Sequence, residues 1–170
     1  MKWLLCLALT GSVLFSVVSM ASQITDTDTI LVGRLSQKEV ASRYSWFQDG
    51  KRKYQPDDNT VRALRPYAPQ LHFVVVMGTW CADSRKHVPP FYRLMGALHI
   101  PEERINLIGV DREKQSSVDL SQLHIEYVPT FIVFYKGKEL GRIIENPRIS
   151  LESDLLQLLQ NPPASHKFKN

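Results

Sequence analysis

The chain has 170 residues, 44% of them hydrophobic, a formal charge of +4 and two cysteines, Cys6 and Cys81. That length fits one domain with ample material for a core. So mild a positive charge gives no reason to expect nucleic acid as a partner and speaks mainly to solubility. Two cysteines exclude a scaffold stapled by several disulfides.

Lys2, an apolar run from Trp3 to Val18 and the small residues up to Ala21 have the pattern of a cleaved secretory signal over 1–21. The run is shorter than the roughly 20 residues of a spanning helix. An uncleaved membrane anchor is therefore the lesser alternative, and no stable membrane insertion is expected after cleavage. In a bacterial host the destination is the periplasm. Cleavage removes Cys6, and the charge falls from +4 to +3 because Lys2 is the only charged residue lost. Cys81 is then a lone thiol, and no internal disulfide can form. In an oxidising compartment such a thiol is either buried and inert or used.

Residues 22–70 read as an N-terminal extension with helices that cover one face of a sheet. Residues 22–32 are mostly polar and end in a short edge strand, Ile30 to Val32. Ser36-Gln37-Lys38-Glu39 has capping-box spacing and starts a helix through Val40, Tyr44 and Phe47 that stops near Asp49-Gly50. Tyr44, Trp46 and Phe47 read as core rather than as a binding surface. Lys51-Arg52-Lys53 reads as a solvated loop. Pro56-Asp57-Asp58-Asn59 is a turn that caps a second helix, Thr60 to Leu64, and Pro66 and Pro69 break the chain after it.

Residues 71–160 hold the organising stretch. Phe73 to Met77 is an uninterrupted apolar run, suited to a strand buried on both faces. Gly78-Thr79-Trp80-Cys81 follows, and then a segment of helical composition from Arg85 to Leu98. Cys81 thus falls where a strand hands over to a helix. The first helical amides there lack intrahelical acceptors, and they and the helix dipole favour a thiolate. After the loop at His99-Ile100-Pro101, Ile105 to Val110 reads as a strand parallel to the first, joined by a right-handed crossover. Asp111 to Ser117 is a polar loop and Val118 to Leu123 a short helix. Phe131 to Tyr135 and Glu139 to Ile144 form an antiparallel hairpin around Lys136-Gly137-Lys138. Ser150 caps a last helix, Leu151 to Leu159, with Leu155, Leu156, Leu158 and Leu159 inward. Residues 161–170 read as a flexible tail.

No metal or cofactor is expected. His72, His87, His99, His124 and His166 are scattered, and Cys81 and His87 fall on different faces of one helix. The sequence has no Cys-x-x-Cys or His-x-x-x-His pair and no glycine-rich phosphate loop.

Four features in order resemble the thioredoxin family over about residues 71–160: Trp80-Cys81-Ala82-Asp83-Ser84 after a β-branched strand, Pro89 in the next helix, Val128-Pro129-Thr130 before a strand, and the closing hairpin. The resemblance implies an α/β, thioredoxin-like fold: a central mixed sheet flanked by helices, here with the helical N-terminal extension. It implies that Pro129 is cis and faces Cys81. Val128 then offers backbone bonds to an extended substrate, and Trp80 shields the thiol and touches a bound chain. The motif also resembles bacterial thioredoxin-like proteins with Trp-Cys-x-Asp-Ser and a late Gly-Arg-Ile-x-Glu-Asn-Pro, here Gly141 to Pro147.

The family's second cysteine is Ser84 here, and a hydroxyl cannot resolve a mixed disulfide. Cys81 is expected to attack a disulfide, with release by an outside thiol. Ser84 could donate a hydrogen bond to the thiolate. Asp83 opposes the thiolate by repulsion yet suits the helix N-terminus, and Arg85 could offset it. The family's buried aspartate falls at Val75 and its lysine partner at Leu107, so neither charge is present. The expected function is monothiol thiol–disulfide exchange on extracytoplasmic protein or small-molecule disulfides. The expected partners are cysteine-containing proteins or small thiols, and a Cys81-linked dimer is a further outcome. The rival reading is a redox-inactive module that binds peptides between Trp80 and Pro129.

Overall fold

Alternation along one strand sets the architecture. In the computed structural model, which describes residues 29–162, strand β2 (Leu71–Met77) lies at the centre of a five-stranded sheet. Its residues Leu71, Phe73, Val75 and Met77 face the main core, while Val74 and Val76 face a smaller cluster with Val110 and Val128 on the other side. The expected signal sequence over 1–21, with Cys6, and residues 163–170 of the expected tail lie outside the described residues.

In chain order the elements are β1 (Gly33–Leu35), α1 (Gln37–Arg43), α2 (Ser45–Lys53), α3 (Asp58–Leu64), β2, α4 (Ala82–Ala97), β3 (Ile105–Gly109), β4 (Thr130–Tyr135), β5 (Lys138–Ile144) and α5 (Leu151–Gln160). The sheet order is β1-β3-β2-β4-β5. β3 runs parallel to β2, and every other neighbouring pair is antiparallel. This is an α/β, thioredoxin-like fold, a central mixed sheet flanked by helices. Val75 and Leu107 sit opposite each other on β2 and β3, at 0% and 1% exposure. Hydrocarbon fills the place where the resemblance would put a charged pair.

The extension departs from the sequence reading in three ways. The edge strand is Gly33–Leu35 rather than Ile30 to Val32. Leu31 instead crosses Gly109, where an added Cβ would lie 2.3 Å from the Leu31 carbonyl oxygen. The single helix expected from Ser36 to Gly50 is two, because Tyr44 is extended (φ −131°, ψ 116°) and buries its ring between them. The second of these runs on through Gly50 to Lys53. Gly50 does not stop it; a Cβ there would sit 2.9 Å from Pro89 Cβ, so the glycine lets α2 press against α4. Lys51, Arg52 and Lys53 therefore form the last helical turn, where positive charge suits the dipole, and not a loop. Tyr44 and Phe47 are buried and Trp46 packs partly against the core.

Caps fix the other helix ends. Ser36 accepts from the Glu39 amide, Asp57 from Thr60 and Ser150 from Ser153. Glu152 of α5 is buried; it accepts from the Tyr54 hydroxyl (2.5 Å) and the Asp57 amide (3.1 Å), tying α5 to the segment between α2 and α3. Burial, first, and the Glu152 carboxylate, second, push the Tyr54 phenol well above its ordinary range. The helix expected over Val118 to Leu123 is only a 3-10 turn at Ser121–Leu123, ended by His124 in the left-handed region (φ 48°). Among the described residues no helix is long and apolar enough to cross a membrane.

Candidate functional site

Four residues, Gly78 to Cys81, connect β2 to α4, and their backbone is bonded from every side. The Cys81 amide donates to the Gly78 carbonyl (3.0 Å). The Gly78 amide donates to the Ser84 hydroxyl (3.2 Å). Arg85 Nε donates to the Thr79 carbonyl (2.7 Å), and the Thr79 hydroxyl oxygen accepts from the Leu31 amide (3.2 Å). Trp80 folds back over Gly78, where a Cβ would lie 2.6 Å from the indole. Its Nε1 donates to the Val110 carbonyl (3.1 Å), and the Arg112 guanidinium stands 5.3 Å above its ring.

Cys81 is the N-cap residue of α4 and is half-buried. Its side chain makes no capping bond to α4. Instead Sγ donates to the Val128 carbonyl oxygen at 3.2 Å. The Val128–Pro129 peptide bond is cis, and both residues are buried. The loop beyond is pinned as well: the Thr130 hydroxyl donates to the Tyr127 carbonyl (2.6 Å), and the Glu145 amide to the Pro129 carbonyl (2.7 Å). Trp80, Cys81 and Val128 share the small apolar cluster on this face of the sheet. The sulfur therefore sits at a helix N-terminus, next to the loop backbone that leads into β4, at the rim of an apolar patch.

The other residues singled out from the sequence take different places. Ser84 is completely buried, and its hydroxyl serves the Gly78 amide rather than the Cys81 sulfur. It is a brace for the turn. Asp83 is half-exposed in the first turn of α4. Arg85 is more than a surface charge, since it bonds the turn and also stands 5.8 Å over the Trp46 ring of α2. His87 meets Asn146 instead; its Nε2 lies 2.8 Å from Asn146 Oδ1. Burial, opposed by that bond, holds His87 below its ordinary value of 6.5. Among the described residues no group of His, Cys, Asp and Glu could hold a metal ion.

Sequence reasoning missed Thr79, Arg112, Asn146 and Leu31. Thr79 and Asn146 had a signal, as part of Gly78 to Cys81 and of Gly141 to Pro147. Arg112 and Leu31 matter through chain segments brought together by folding, which spacing does not reveal.

No protein-family model and no curated protein matches this chain. Among solved structures, it is similar to a Pseudomonas aeruginosa protein of unknown function, at 16% identity over 73% of this chain and 72% of that one (TM-score 0.44). It is similar to the thioredoxin of Fasciola hepatica at 18% identity, over 60% of this chain and 89% of that one (TM-score 0.38). It is also similar to the thioredoxin of Trypanosoma brucei brucei at 21% identity, over 61% and 83% (TM-score 0.35). The fold assignment stands on the strand order and register.

Proposed function

We propose that this is an exported thioredoxin-like protein that carries out monothiol thiol–disulfide exchange through Cys81. The observation that carries the reading is the half-buried Cys81 sulfur at the N-cap of α4, 3.2 Å from the carbonyl that precedes Pro129. In the first step Cys81 gives its proton to solvent, and its sulfur attacks one sulfur of a substrate disulfide. The substrate S–S bond breaks, its other sulfur leaves as a thiolate, and a Cys81–substrate disulfide remains. An outside thiol then attacks that bond and returns Cys81 as a thiol. The count of disulfides is unchanged over the cycle, so the thiols present set its direction. Val128 and Trp80 border the place a substrate chain would occupy; Asp83 and Arg85 set the local charge.

The rival, a redox-inactive peptide-binding module, draws on one observation. The Cys81 S–H is engaged with the Val128 carbonyl, as in a thiol held at rest. One experiment separates the two. The full chain carrying Cys6→Ser is incubated with oxidised glutathione near neutral pH and followed by intact mass. Exchange requires a glutathione adduct on Cys81, formed faster than on a free cysteine peptide, released by reduced glutathione and absent in Cys81→Ser. An adduct no faster than the peptide's leaves the module. A non-reducing gel of the same sample reports any Cys81-linked dimer.

A further inference from the structure

The thiol cycle leaves one stretch singled out in the sequence, Glu145-Asn146-Pro147 after β5, without a part. Glu145 stands in the left-handed region at φ 56°. A residue with a side chain keeps that conformation only where its surroundings fix it. Two contacts do so here. The Glu145 amide donates to the Pro129 carbonyl (2.7 Å). The next side chain, Asn146, turns to α4, where its Oδ1 meets His87 Nε2 (2.8 Å) and Lys86 Nζ (3.4 Å). A lysine ammonium only donates, so this oxygen is the acceptor and His87 Nε2 carries the hydrogen. Asn146 is exposed, whereas His87 is buried. Packing therefore does not fix the asparagine; its hydrogen bonds to α4 do.

These bonds form a ring that starts and ends on α4. Cys81, the N-cap of α4, donates its S–H to the Val128 carbonyl (3.2 Å). Val128 is joined to Pro129, and Glu145 holds the Pro129 carbonyl. Glu145 is joined to Asn146, and Asn146 returns to α4 at His87.

We propose that Asn146 is a positioning residue for Cys81: by tying the turn after β5 to α4, it holds the Val128 carbonyl where the S–H reaches it. The role rests on Cys81 being the working centre of the site. With the ring closed, the S–H is held in a bond at rest, and sulfur attacks only after giving it up. With the ring opened, the carbonyl is no longer held against the sulfur and the thiol reacts faster. A plain fastener of β5 to α4 would lose stability when cut and leave the thiol unaltered.

The test follows the S–H stretch of Cys81 by infrared spectroscopy in the full chain carrying Cys6→Ser, where it is the sole thiol. A thiol that donates to a carbonyl absorbs at lower frequency than a free one, and the parent should show the lowered band. Asn146→Ala should move the band up and speed alkylation by iodoacetamide about threefold or more, within the range of one hydrogen bond. His87→Gln keeps an N–H donor near the place of Nε2 and should keep the band and rate of the parent. His87→Leu should match Asn146→Ala, and the double variant should go no further than either alone, as two cuts in one link do. Glu152→Ala breaks bonds to Tyr54 and Asp57 and none in the ring, so it should leave band and rate alone. A parent band at the free position, a band and rate unmoved in Asn146→Ala, or a failed rescue by His87→Gln overturns the proposal. So does an equal shift in Glu152→Ala, which would mean that lost stability alone frees the sulfur. Neither readout involves a disulfide. A chain that passes here and forms no glutathione adduct refutes exchange and keeps Asn146 as the residue that sets the sulfur; one that forms the adduct and fails here loses only that role.

Discussion

Ser84→Ala separates a brace from a catalytic partner. Ser84 has no exposed surface, and its hydroxyl accepts the Gly78 N–H at 3.2 Å. Removing it leaves a buried amide without an acceptor, which costs about 1–3 kcal/mol. Alanine in the first helical turn returns up to about 0.5 kcal/mol of propensity. The net loss is about 0.5–3 kcal/mol. With about 2–4 °C per kcal/mol for a chain of this size, the melting temperature should fall by about 1–12 °C. The thiol should be little affected, because the hydroxyl is bonded to the turn and not to sulfur. Alkylation of Cys81 by iodoacetamide in the Cys6→Ser background, followed by mass, should stay within about twofold of the parent, a spread well under the tenfold that 1.4 kcal/mol represents. An unchanged melting temperature with alkylation slowed by an order of magnitude would refute this. It would mean that Ser84 acts on the sulfur directly.

Other substitutions test the frame. Gly50→Ala gains helix propensity of up to about 1 kcal/mol but drives a Cβ to 2.9 Å from Pro89 Cβ. Overpacking of about 1–3 kcal/mol should dominate, read as a lower urea midpoint; a rise would mean that α2 and α4 have slack. Glu152→Ala removes the acceptor of the Tyr54 hydroxyl and the Asp57 amide and should cost about 2–4 kcal/mol in chemical denaturation; near-neutrality would deny the tie between α5 and the segment between α2 and α3. Burial keeps His87 below 6.5, so as pH falls the unfolded chain takes up the proton first. His87 should favour the fold fully above that value and progressively less below it, and His87→Gln should flatten the loss of stability between neutrality and pH about 5, the range a histidine commands. Asp57 and Asp119, lowered from 3.8 by hydrogen bonds from Thr60 and Ser121, act in a separate and more acid window.

The sequence was most legible where local chemistry and the tertiary fold agree. The β-branched run into Gly78-Thr79-Trp80-Cys81 reads as a strand and a turn because each residue prefers what the sheet requires. The same holds for the caps at Ser36 and Ser150. The reading failed where packing overrode a local signal. Gly50 looks like a helix stop, yet α2 needs a residue without a Cβ where it meets Pro89. Tyr44 fits a helical stripe, yet burying its ring breaks the helix there. Val118 to Leu123 has helical apolar spacing, but the segment is too short to nucleate and follows its contacts with Val76 and Val110 instead. At the site, position along the chain located Cys81, Trp80 and Val128. It could not tell which of two plausible partners Ser84 would meet, the Gly78 amide or the Cys81 sulfur, because that depends on how the turn folds back against the first turn of α4.

The extension and the cysteine turn are locked together, and this bears on how a site with one sulfur can work. Leu31 holds the Thr79 hydroxyl, Arg85 joins the Thr79 carbonyl to the Trp46 ring, and Val110 holds Trp80. A dithiol enzyme must bring a second sulfur up to the mixed disulfide, so its turn has to permit two arrangements. Here the second position is a buried hydroxyl bonded to the backbone, and no such movement is called for. A turn braced on all sides, with a half-exposed sulfur, suits a cycle in which every moving part comes from outside. The same rigidity also suits a surface that only binds. What separates the two is therefore the behaviour of the sulfur itself, and the adduct experiment measures that directly.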